Sequence, residues 1–159
     1  MDQFLAYYGI HLEVLASSTQ DHLLEWARQA TLVEDQPSSN FGNAIMELCK
    51  AVESELAAGL GSIPALAYLT SGTLGAKRVF LKSAKLNDQT KQQLKSRGIK
   101  PGFVSSDLPG LLSVLADLRS ETGAAHGNAK IQSASLAEAN QAKQYAGKIL
   151  KGIARKSPL

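Results

Sequence analysis

A chain of 159 residues suffices for one domain with a buried core, and 44% apolar, 19% charged and 6% aromatic residues make a globular composition. The longest unbroken apolar stretch, IPALAYL from Ile63 to Leu69, falls far short of the roughly 20 residues of a membrane span, and the acid-bearing start MDQFLAYYGI lacks the basic cluster of a signal peptide. One cysteine, Cys49, excludes an internal disulfide and fits a reducing cytoplasm.

The net charge of +3 is unevenly spread: residues 1–70 hold two basic residues against nine acids (−7), and residues 71–159 hold fifteen against five (+10). A basic half is the footprint of an anionic partner, nucleic acid being the commonest. It also fits a lysine-rich helical surface docking on the acidic half of a second copy.

In chain order, residues 2–32 read as one long or two consecutive helices, with Gly9 a weak point and Ser17 to Thr19 a break and cap. VEDQPSSN is a linker, and Ser39 or Asn40 can cap the helix after it. From Phe41 to about Leu60 the apolar residues Phe41, Ala44, Ile45, Leu48, Val52 and Leu56 take the three-and-four spacing of one buried helix face. GLGSIP stops that helix, with Gly59 and Gly61 as C-cap material and Pro64 unable to continue the ladder.

Residues 64–86 read as short helices around the loop TSGTLG, with KRVFL (Lys77 to Leu81) fitting a short strand as well as a helix. Asn87 caps DQTKQQLKS and Gly98 closes it; Ser106 or Asp107 opens a leucine-rich helix with Pro109 in its first turn. SLAE, Ser135 to Glu138, has capping-box spacing and starts a last, alanine-rich helix. The sum is a single all-α domain over residues 1–159, a bundle of some five to seven helices.

Few motifs carry chemistry. His11, His22 and His126 lie on different elements with no cysteine or carboxylate at ligand spacing, so neither metal nor cofactor is expected. Cys49, inside an amphipathic helix, reads as a small buried apolar residue. SGTLGAK, Ser71 to Lys77, lacks both the glycine spacing and the preceding strand of a phosphate-binding loop, and is better described as a basic loop ending at Lys77 and Arg78. RGIKPGFVSS is too long for the turn of a helix-turn-helix, and the helix after it is too leucine-rich to lie in a groove.

RSETGAAHG, Arg119 to Gly127, stands apart. On an unbroken helix Arg119 and His126 would be separated by about 10 Å along the axis; Gly123 lets the chain turn, so that the two can converge. A guanidinium neutralises phosphate and an imidazole moves protons near neutral pH, a pairing suited to phosphodiester chemistry. The plainer alternative is an arginine capping carbonyls and a histidine satisfied in a turn.

The stretch LLSVLADLRSETGAAHGNAK resembles the signature of the abortive-infection C-terminal family, a branch of the HEPN superfamily (higher eukaryotes and prokaryotes nucleotide-binding domains). That branch carries an Arg-Asn-x-x-Gly-x-x-His-Gly type loop after a leucine-rich helix. The upstream NAIMELCKAVESEL resembles the family's earlier helix, so the likeness spans about residues 40–153 and leaves residues 1–33 as an N-terminal helical extension. The position after the arginine, commonly Asn, Asp or His, is Ser120 here.

The resemblance implies an all-α HEPN-like dimer and a metal-independent endoribonuclease, of a kind found among toxins and antiviral defence effectors, sometimes with a neutralising partner protein. Carried onto this chain, His126 would be general acid or base, Arg119 would stabilise the phosphorane and Ser120 would orient one of them. Gly123 and Gly127 would shape the loop, and Glu53 or Lys50 would add supporting contacts. The basic half nominates Lys77, Arg78 and Lys82 as RNA-binding residues. Two other readings stand beside this one: a non-catalytic HEPN module binding RNA or a partner protein, which Ser120 favours, and a helical scaffold assembled through its charged halves.

Overall fold

The apolar periodicities of the sequence converge on one buried core in the computed structural model, which describes residues 1–34, 40–121 and 134–157. Among the described residues there are seven α-helices and no strand: α1 Asp2–Tyr8, α2 Ser17–Glu34, α3 Gly42–Glu55, α4 Leu74–Ser83, α5 Asp88–Ser96, α6 Leu108–Glu121 and α7 Leu136–Ile153. The protein is an all-helical bundle, and no described helix is long and apolar enough to cross a membrane.

The central helix is α3, packed against α2, α6 and α7 at once. Its predicted face is buried throughout, Phe41, Ala44, Ile45, Leu48, Val52 and Leu56 all being at most 6% exposed. Cys49 and Ala51 widen that face, because a helix flanked on three sides needs more than one apolar stripe. Each large side chain so buried contributes about 1.5–3 kcal/mol from removal of apolar surface.

Helix ends follow the local signals where a side chain can reach its own backbone. Asn87 Oδ1 accepts from Thr90 N at 2.8 Å, and Ser135 and Glu138 exchange the two bonds of a capping box at 3.1 Å each. Asn40 Oδ1 accepts from Gly42 N (2.9 Å) and from Ala134 N (3.0 Å), tying the start of α3 to the residue before α7's cap. Ser39 lies outside the described residues, as does most of the VEDQPSSN linker.

Other ends are secured across the fold. The start of α2 is held by Glu55, which is 0% exposed: its Oε2 accepts from Ala16 N at 2.9 Å and from Thr19 Oγ1 at 2.7 Å. A carboxyl group from α3 thus supplies the acceptor at a helix start whose own residues leave N–H groups without intrahelical partners. At its far end α3 runs into a π turn, Leu56–Leu60, whose carbonyls are met by two guanidinium groups. Arg155 Nη2 donates to Ala58 O at 2.7 Å, and Arg97 Nη1 donates to Gly59 O and, at 2.6 Å, to Ser62 Oγ. Gly61 serves by close approach rather than by a left-handed φ, for a Cβ there would lie 2.6 Å from Ala57 O.

One boundary differs from the sequence expectation, the start of the leucine-rich helix, and two open alternatives are decided. KRVFL is part of α4, where Leu74, Lys77 and Leu81 face inward at helical spacing. The leucine-rich helix opens at Pro101, not at Ser106 or Asp107, and passes through a π turn, Phe103–Asp107, before α6. That wider turn accommodates Pro109, which lacks an N–H and would press on the carbonyl four residues back. The first 34 residues split at Gly9, and a 3₁₀ turn, Leu12–Val14, joins α1 to α2.

Candidate functional site

Arg119 occupies the last turn of α6, where a cation complements the helix dipole. Its Nη1 donates to Glu53 Oε1 of α3 at 2.5 Å, and the two side chains are 20% and 23% exposed. A pair so shielded from water interacts more strongly than a surface ion pair. Glu53 therefore fixes the direction in which the guanidinium points.

Cys49, one turn before Glu53, lies within the field of both groups. Burial pushes its thiol up to about 12, Arg119 draws it down and Glu53 raises it further. The thiol stays protonated and is no nucleophile. The sequence reading of Cys49 as a buried apolar residue holds, since it is 0% exposed.

Across from α6 stands α4. Lys77, nominated for RNA binding, is 2% exposed, and its Nζ donates to Ser71 O at 2.6 Å and Gly72 O at 3.1 Å. Burial lowers its pKa, and the negative charge of Glu53 opposes that shift. Lys77 braces the TSGTLG loop from inside and offers no ammonium to a ligand on the surface. Its three-and-four spacing from Leu74 and Leu81 is the signal that puts it on the inward stripe of α4.

Arg78, the next residue, reaches α6, where its Nη1 donates to Ser113 Oγ at 3.0 Å. Between the helices lies a cleft of about 350 Å³ walled by Thr73, by Leu74, Gly75 and Arg78 of α4, and by Ala116, Asp117, Arg119 and Ser120 of α6. Thr73 caps α4, its Oγ1 accepting from Ala76 N at 3.2 Å. Helix geometry leaves the N–H groups of Leu74 and Gly75 without an intrahelical acceptor. Two guanidinium groups, Arg78 and Arg119, thus line the cleft, with Glu53 bonded to Arg119 and Asp117 at the exposed rim.

The sequence-nominated residues sort unevenly around this cleft. Arg119, Ser120, Arg78 and Glu53 are brought together, with Ser120 exposed on the rim. Lys50 is turned away: its Nζ donates to Glu47 Oε1 at 2.8 Å, and Glu47 Oε2 lies 2.8 Å from His22 Nδ1 of α2. Lys82 is exposed one turn beyond Arg78. His126, Gly123 and Gly127 lie outside the described residues. Sequence reasoning missed Asp117 and the first turn of α4, which only the packing of α4 on α6 brings to Arg119.

Fold and site define an all-helical protein with a cationic cleft between two helices. No family model matches the chain, and neither a curated protein nor a solved structure matches it.

Proposed function

We propose that the protein is a metal-independent endoribonuclease of HEPN type, acting on RNA phosphodiesters at the cleft between α4 and α6. The observation that carries this reading is the meeting of Arg119, Arg78 and Ser120 around one cavity, with Glu53 orienting Arg119. A guanidinium held in place before the substrate arrives stabilises charge as it develops on phosphorus-bound oxygens, without reorganisation during the reaction. The RNA 2′-hydroxyl attacks the adjacent phosphate, the bond to the 5′-oxygen breaks, and a 2′,3′-cyclic phosphate and a 5′-hydroxyl end remain. His126 takes the proton from the attacking hydroxyl or delivers one to the leaving oxygen, a role assigned from the resemblance.

The same resemblance supports a cytoplasmic homodimer that brings two such clefts together, working as a toxin or antiviral effector under a neutralising partner protein. A second reading, an RNA-binding module without cleavage, is favoured by Ser120 at the position where the family commonly has Asn, Asp or His. Incubating purified protein with mixed RNA in EDTA and identifying the product ends separates the two. Cyclic phosphate ends support the nuclease; bound but intact RNA selects the binding module.

A further inference from the structure

A second cavity, of about 400 Å³, lies where α1 packs on α7, and nothing in the proposed chemistry uses it. Tyr7 stands at its edge, 82% exposed, which leaves most of its ring open to a stacking partner. The ring is nevertheless held. It meets Tyr8 edge-on, centroids 4.9 Å apart at 77°, and Tyr8 in turn meets Phe4 at 5.3 Å, which packs on Trp26 at 5.0 Å. Tyr8 is pinned beneath it: its hydroxyl donates to Gln144 O at 3.3 Å, and its ring lies so close over Gly147 that a Cβ there would collide with it. A chain of four aromatic rings thus carries an exposed tyrosine from the core to the surface.

Around Phe4, Tyr7 and Tyr8 the cavity is lined by three amide residues, Gln3, Asn140 and Gln144, and by Lys143. Each amide offers both donors and an acceptor, the complement of the edge of a nucleobase. Lys143 sits 5.9 Å over the Trp26 ring, placing a cation beside the cavity. Among the described residues the lining contributes this cation and no carboxylate. A planar face, amide groups for an edge and a positive charge for a phosphate are the three things an unpaired nucleotide asks of a site.

We infer that this cavity binds an unpaired nucleobase, stacked on Tyr7 and read at its edge by Gln3, Asn140 and Gln144, with Lys143 facing its phosphate. The choice of ligand rests on the reading of the protein as one that engages RNA; the site itself is separate from the Arg119 cleft. The lining joins three aromatic residues, Phe4, Tyr7 and Tyr8, to three amides and one lysine, a mixture that suits a flat, polar-edged base.

The test has two arms. In the first, amide and side-chain resonances of the isotope-labelled protein are followed as 5′-AMP is added, with ribose 5-phosphate as the control lacking a base. AMP is expected to shift Tyr7, Asn140 and Gln144, and the control to leave them in place. In the second, binding of a fluorescent, unpaired oligoadenylate is compared for wild type, Tyr7→Phe, Tyr7→Ala and Asn140→Ala, each checked for a native helical spectrum. Tyr7→Ala is expected to weaken binding by about 5- to 150-fold, as loss of one base–aromatic stack does, and Tyr7→Phe to restore it. Oligoadenylate bound equally by wild type and Tyr7→Ala, with no response to AMP, overturns the inference and leaves the cleft intact as a site. A base-dependent response to AMP in a protein that neither cuts nor holds RNA through Arg119 sustains the cavity and overturns the nuclease reading. Equal shifts from AMP and ribose 5-phosphate overturn base recognition.

Discussion

Arg119 and Glu53, 66 residues apart in sequence, are joined by a 2.5 Å hydrogen bond between the end of α6 and the body of α3. The bond links the core of the bundle to the cleft, because Glu53 follows the buried Cys49 and Val52 on α3 while Arg119 borders the cavity. Breaking it is therefore expected to affect both stability and activity. Glu53→Ala should cost about 1.5–3 kcal/mol, the range for a hydrogen bond to a charged group, read from urea denaturation. Arg119→Lys should keep more of that stability yet lose cleavage, since an ammonium lacks the planar fork. Full cleavage by Arg119→Lys would remove the guanidinium from the mechanism.

Replacing His126 with Ala is expected to lower RNA cleavage by about 10²–10⁴-fold, the contribution of a general acid or base. The helical spectrum and melting temperature should stay those of wild type. Unfolding of this variant would instead give the histidine a structural role.

The basic residues are expected to divide by burial. Arg78→Glu and Lys82→Glu should weaken RNA binding and flatten its dependence on salt, because fewer counterions are released when fewer phosphates are met. Lys77→Glu should instead destabilise the fold, as it places a carboxylate against Ser71 O and Gly72 O in a 2%-exposed position. Salt-independent binding of wild type would exclude phosphate contacts as its source.

In the core, Leu115 on α6 is 0% exposed. Leu115→Ala should cost about 2–5 kcal/mol, combining lost transfer energy with a residual cavity. A loss below this range would show that α6 relaxes into the space.

Glu47 gives the expected pH dependence. Burial works to raise its pKa, but hydrogen bonds from Lys50 and His22 outweigh burial and leave it below the usual carboxylate value of 4.5. A depressed acid stabilises the folded state above its unfolded pKa, and that contribution is lost as pH falls through the folded one. Wild type should therefore lose stability more steeply than Glu47→Gln between about pH 5 and 3, in denaturation midpoints measured across that range. Parallel curves would show that the His22–Glu47–Lys50 cluster does not contribute to folding.

Light scattering supplies a last check, on assembly. A dimer that brings two Arg119 clefts together is expected at high micromolar protein concentration. A monomer under those conditions would remove the shared site from the proposal.

What the sequence alone determined is whatever a residue decides through its near neighbours. The three-and-four spacing from Phe41 to Leu56 requires an amphipathic helix wherever the chain folds, and Asn87 and the Ser135–Glu138 pair cap helices whose amides lie three residues away. The aggregate of such faces made the all-helical bundle legible. Tertiary structure decided what depends on residues far apart in the chain. Local sequence cannot say that Glu55 closes the start of α2, that Arg97 and Arg155 cap the end of α3, or that Glu53 rather than Lys50 faces Arg119. The +10 count treated every cation of residues 71–159 as surface charge, whereas Lys77, Arg97 and Arg155 bond to carbonyls within the fold. Charge is written in the sequence, but its availability to a ligand depends on desolvation and on hydrogen-bond partners. Those are set only when the helices pack.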